Sequence, residues 1–269
     1  MNPSVLFVFI LSILLGVLRA ADLAFGTDAV TGLCVVGSVW WRYLALGIVV
    51  LAAVLVGRTQ PSHSEAVRSR RPLAGILAFV GAVCFLAAAG AQIALGAASG
   101  LGGFVRCILE CLCSAWLSTM GRCWLSPNEW KKPFGGLYLA VAGSLLFYWN
   151  VLLRFMENSS SWHRVEPTAM VWQMLAALVF LSAMVRALWL PETSNGCQLC
   201  EAGICTFLLC FCWELPRVLV LLFHGITAAD LPEVLFGFGM CCIGALGLFT
   251  VARVAGSDGR PALSPGSYP

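Results

Sequence analysis

The chain has 269 residues, 60% of them hydrophobic and only 11% charged, with a formal net charge of +3. A soluble domain carries about 25% charged residues, so a water-facing surface could not be covered with so few charges. The small net charge, with no basic run interleaved with aromatics, argues against a nucleic-acid partner.

Eight apolar stretches follow one another at about 4–21, 43–57, 73–98, 104–120, 134–153, 168–190, 203–223 and 232–252. In lipid every backbone polar group must be satisfied within its own segment, which selects helices. The expected fold is therefore an all-α integral membrane bundle of about eight transmembrane helices, with seven as the competing count. Residues 1–253 read as one polytopic domain and 254–269 as a short flexible tail. The first stretch reads as an uncleaved anchor rather than a signal peptide, since its start lacks Lys and Arg and Ala20-Ala21 is a poor cleavage site. The second is short for the roughly 20 residues that span a bilayer, unless it begins near Val35. The fourth carries Arg106 and Glu110, so an interfacial or re-entrant segment competes with a full span.

The bias of Lys and Arg toward cytoplasmic loops sets the orientation. Arg58, Arg68, Arg70, Arg71, Arg122, Lys131, Lys132, Arg186, Arg253 and Arg260 fall on one side, and Arg19, Arg42, Arg154 and Arg164 on the other. Both termini are thus expected in the cytoplasm. Trp40, Trp41, Tyr43, Tyr148, Trp149, Trp124, Trp130 and Trp189 lie near span boundaries, where amphipathic rings are favoured.

Small residues recur in the third span (Ala74, Ala78, Ala82, Ala89, Gly90, then Gly96 and Gly100) and in the eighth (Gly237, Gly239, Gly244, Gly247). Such spacing permits close helix packing in lipid, and a sliding transport pathway is the alternative reading.

Ionisable residues within spans are functional candidates by default. Here they come as pairs at helical spacing: Arg19 with Asp22, Arg106 with Glu110, and Glu214 with Arg217. Each pair can neutralise itself on one helix face. The third is set in Trp213-Glu214-Leu215-Pro216-Arg217, where Pro216 is expected to kink the helix and free the carbonyl of Cys212 beside Glu214. A broken helix with a buried carboxylate is a form that transporters use to bind ions, although no internal repeat supplies a matching break. Gln92, Asn150 and Gln173 read as interhelical hydrogen-bond donors.

The chain has 13 cysteines. Most read as small apolar residues. Cys197 and Cys200 form a C-x-x-C, for which disulfide exchange or zinc binding with two further thiols are the chemical alternatives. No phosphate-binding glycine loop, H-E-x-x-H or G-x-S-x-G is present. His63, His163 and His224 fall in expected loops, and Asn158-Ser159-Ser160 matches a glycosylation acceptor. No cofactor is implied.

The stretch 18–33, with Arg19, Phe25, Asp28, Thr31, Gly32 and Leu33, then Gly37, resembles the first outer loop of uncharacterised multi-spanning membrane proteins of anaerobic Gram-positive gut bacteria. There an Arg-bearing first helix leads into a Phe-x-x-(Asp)-Thr-Gly-Leu turn; here the Asp is displaced. The resemblance implies a bacterial cytoplasmic membrane and carries no catalytic residues with it. Gly26 and Gly32 are expected to make turns at positive φ, with Asp28 and Thr31 bonding local backbone. The expected function is a non-enzymatic membrane component, either a small-solute permease-like protein or an accessory subunit, with the lipid bilayer and other membrane subunits as partners. A thiol–disulfide oxidoreductase acting through Cys197 and Cys200 is the alternative.

Overall fold

Asn2 and Ser38 set the first two helix starts. The Asn2 side chain accepts from Ser4 N at 3.3 Å and the Ser38 hydroxyl from Trp40 N at 3.3 Å, each satisfying a donor that the first helical turn leaves open. The computed structural model describes residues 2–28, 33–60, 65–98, 100–126, 133–157, 165–190, 195–224 and 227–256. Thr31, Gly32, His63, Lys131, Lys132, Asn158-Ser159-Ser160, His163, Arg164 and the tail from 257 lie outside them.

The helices are α1 (Pro3–Ala21), α2 (Val39–Arg58), α3 (Pro72–Ala94), α4 (Gly100–Leu125), α5 (Gly136–Glu157), α6 (Val165–Trp189), α7 (Gly196–Thr206), α8 (Glu214–His224) and α9 (Leu231–Val254). A π-helical turn, Asp22–Gly26, extends α1, and another, Phe207–Trp213, joins α7 to α8 as one span. α1, α3 and α9 each carry a proline in the first turn, where its missing N–H costs nothing. Eight helical segments are long and apolar enough to cross a membrane, and no strand occurs among the described residues, only a single bridge between Thr27 and Cys34. The protein is a multi-pass all-α membrane protein.

Two expected weaknesses resolve. The Ser38 cap moves the start of the second span to Val39, giving it 20 residues. The fourth is a continuous helix of 26 residues, because Arg106 and Glu110 turn inward onto partners rather than into lipid.

α3, α4, α5, α6, the α7–α8 span and α9 pack in sequence, and α9 closes back on α3, giving a ring of six spans. α1 lies outside it against the second π turn, and α2 against α7. α9 is the most enclosed span and α2 the least. Phe85 of α3 meets Phe147 of α5 and Phe236 of α9 edge to face, at 6.2 and 5.4 Å between centroids. These rings join elements across the ring and fill its interior.

Small residues set the closest approaches. A Cβ on Gly75 would stand 3.0 Å from Gly121 O, and one on Gly121 the same distance from Gly75 O. α7 and α9 meet likewise at Gly203 and Gly247. The expected small-residue pattern of the third span ends early, however. α3 stops at Ala94, and Gly96 and Gly100 take φ of +65° and +71°, so they turn the chain rather than pack helices.

Candidate functional site

Each span of the ring sends at least one polar side chain to the same end of the bundle. On α4, Arg106 Nε donates to Glu110 Oε1 at 3.0 Å, and Gln92 Nε2 from α3 reaches both oxygens of Glu110 at 2.9 and 3.0 Å. On α8, Arg217 Nε donates to Glu214 Oε1 at 3.2 Å, and Gln173 Nε2 from α6 reaches Glu214 Oε2 at 3.0 Å. Gln92, Gln173, Glu110 and Glu214 are all buried. Two units of the same composition (glutamine, glutamate, arginine) thus stand on opposite parts of the ring.

Glu233, in the first turn of α9, joins them. Its Oε1 accepts from Arg106 Nη1 at 3.0 Å, and its Oε2 lies 3.9 Å from Arg217 Nη2 and 4.0 Å from Arg154 Nη2 of α5. Glu166 of α6 adds a carboxylate 3.4 Å from Arg217 Nε. Between them remains a cavity of about 20 Å³, lined also by Asn150, Met170, Met174, Phe236 and Met240, which is about the room one water needs. The Arg106 guanidinium lies 4.9 Å over the Phe236 ring, so the charged centre rests directly on the aromatic filling. Charges at this spacing and burial compensate one another strongly, and removing one partner leaves an uncompensated charge.

The local geometry follows from the chain direction. α4 starts at this end and α8 finishes at it, so Arg106 precedes Glu110 whereas Arg217 follows Glu214. Both orders set the carboxylate further inside and the guanidinium nearer the helix end.

The break in the seventh span lies just before Glu214. The expectation there was a kink at Pro216 that frees the Cys212 carbonyl; the structure widens the preceding stretch, Phe207–Trp213, into a π turn. Gln173 Nε2 donates to Leu209 O within it at 3.1 Å, and Thr206 Oγ1 to Ala176 O at 3.0 Å. The Cys212 carbonyl meets α1 at Gly16, where a Cβ would stand 2.6 Å from the oxygen. π turns inside α-helices occur frequently at functional sites.

The pair Arg19 and Asp22 forms at 2.8 Å, in a corner that borders the centre. Arg42 Nε reaches both Asp22 oxygens at 2.9 Å, and the Arg19 guanidinium lies 4.9 Å over Trp213. The turn beyond is closed by Asp28 N to Leu33 O at 3.0 Å and Val35 N to Gly26 O at 2.8 Å. Gly26 does not take positive φ; Gly37 does, at +78°. Gly26 instead gives room to the ion pair, since a Cβ there would stand 3.0 Å from Arg42 Nη2.

Cys197 and Cys200 lie at the opposite end. Cys197 Sγ donates to Gln60 O at 2.9 Å, and Cys200 is fully buried. All cysteines are free thiols, and no group of three metal-ligating side chains occurs among the described residues. Asn150 bonds its own helix, at Leu146 O, rather than another span.

Both halves of the centre are legible in the sequence as spaced pairs, whereas Glu233, Glu166 and the role of Arg154 are not. Acidic residues one turn into a helix read as partners of the helix dipole, which hides Glu233 and Glu166. Comparison with protein-family models, curated proteins and solved structures finds no match to this chain.

Proposed function

We propose that this protein is a small-solute permease-like component of a bacterial cytoplasmic membrane, with both termini in the cytoplasm and Glu214, Arg217, Glu110, Arg106 and Glu233 as its solute-handling centre. The observation that carries the reading is the meeting of two Gln–Glu–Arg units on the single carboxylate of Glu233, around a cavity of about 20 Å³. Ionisable groups facing a bundle interior mark ion and substrate pathways in membrane proteins. The aromatic contact of Phe85, Phe147 and Phe236 supports a closed state, in which the centre is sealed from the far side of the bilayer. The buried Cys200 gives no support to the oxidoreductase alternative.

The test is flux through proteoliposomes holding the full chain, read as proton entry with a trapped pH dye and as osmotic swelling in small polar solutes. Flux above empty liposomes that Glu214→Gln abolishes, while the protein keeps its unfolding temperature, upholds the reading. Absence of flux in the native protein leaves the accessory-subunit reading in its place.

A further inference from the structure

On the outside of the ring, α2 and α6 both pack on α7 but hardly touch each other. Between them runs an open groove of about 900 Å³, floored by Ala202, Cys205 and Leu209 of the seventh span. Its polar and apolar linings are segregated along its length. Arg186, Gln198 and Ser182 mark the mouth, at the end opposite the charged centre, and all three are exposed. Away from it, the walls are Val179, Leu175 and Trp172 of α6 and Val50 of α2. From Arg186 to Trp172 is 14 residues of helix, about 21 Å at 1.5 Å per residue. That exceeds half of the roughly 30 Å hydrocarbon core.

We propose that this groove is a binding site for a single anionic phospholipid, its phosphate at Arg186 and an acyl chain along Val179, Leu175 and Leu209. The charge at the mouth decides the headgroup. Arg186 makes no ion pair among the described residues. Glu201, a carboxylate that also lines the groove, is engaged by Arg58 at 3.4 Å, so among the described residues the Arg186 guanidinium is left without a counter-charge. Ser182 and Gln198 supply donors for phosphate and ester oxygens. Basic pockets between transmembrane helices recognise acidic headgroups in this way. A long apolar wall with a cation at one end only is the complement of an amphiphile.

The site is separate from the charged centre, so its failure would leave the permease reading untouched. The test is native mass spectrometry of the full chain in mild detergent, titrated with phosphatidylglycerol and separately with phosphatidylcholine. The native protein is expected to hold a single phosphatidylglycerol and to prefer it by about fivefold, the factor expected for one added cationic contact. Arg186→Gln should bring the preference to parity, and Val179→Trp, on an exposed wall position, should weaken both lipids. Equal affinity for the two lipids in the native protein would overturn the proposal. So would binding that neither variant alters, or a dimer whose formation displaces the lipid.

Discussion

Gln173 Nε2 stands 3.0 Å from Glu214 Oε2 and 3.1 Å from Leu209 O. One amide therefore holds a buried carboxylate and also a backbone carbonyl of the π turn that places it. The shape of the break and the position of the charge are coupled through one side chain. Gln173→Leu keeps the volume and removes both bonds, leaving two buried acceptors short of a donor. The expected loss is about 1–3 kcal/mol, the cost of orphaned buried polar groups. Ser144→Ala, whose hydroxyl bonds its own helix at an exposed position, should stay within about 0.5 kcal/mol. Unfolding in detergent compares the two, and equal effects would contradict the coupling.

Glu233 is expected to bind the two halves of the centre unequally. Its bond to Arg106 is 3.0 Å, against 4.0 Å to Arg154. A double-mutant cycle of Glu233→Gln with Arg106→Gln should give a coupling in the upper part of the roughly 0.5–3 kcal/mol range for residues in contact. The cycle with Arg154→Gln should fall near its lower end. A larger coupling to Arg154 would mean that Glu233 is held mainly from α5, and would contradict its place as the partner of Arg106.

The spans and the ionic pairs within them were legible because each is local: hydropathy fixes a helix, and spacing of three or four fixes a pair. What joins the pairs is not local. Arg106 and Glu233 are 127 residues apart, and neither position signals the other in a single sequence. Gln92 and Gln173 read as interhelical donors, as they are, but which carboxylates they meet is hidden for the same reason, since Glu110 and Glu214 lie on other helices. Pro216 announced a break but not its form; the widened turn upstream depends on Gln173 and on Gly16 from two other spans. The start of α2 lies four residues before Tyr43 because Arg42, which reads as a boundary, sits inside the helix on Asp22, a partner 20 residues away.

Gly16 tests whether the break is packed against α1. A Cβ there would stand 2.6 Å from the Cys212 carbonyl oxygen, a backbone atom that cannot swing aside. Gly16→Ala should destabilise by about 1–3 kcal/mol through overpacking. Gly90→Ala meets nothing within 4 Å and should be neutral or stabilising by up to about 1 kcal/mol, from helix propensity alone. Unfolding temperatures of the two variants should therefore move in different directions, or one move and the other stand still.

The cysteine pair offers a test of orientation and chemistry together. Cys197 is half-buried at the start of α7, whereas Cys200, one turn on, is fully enclosed. In a variant keeping only these two thiols, an impermeant maleimide should leave intact cells unlabelled and modify Cys197 alone after lysis. Cys200 should react only once the protein is unfolded. Labelling of Cys197 in intact cells would put that end of the bundle outside and reverse the orientation read from Arg and Lys. Mild oxidant should leave both thiols free, because closing the disulfide requires the enclosed Cys200 sulfur to act as the thiolate that displaces the leaving group from an oxidised Cys197 sulfur, or itself to be oxidised by the reagent. A Cys197–Cys200 disulfide formed in the folded protein would restore the oxidoreductase reading.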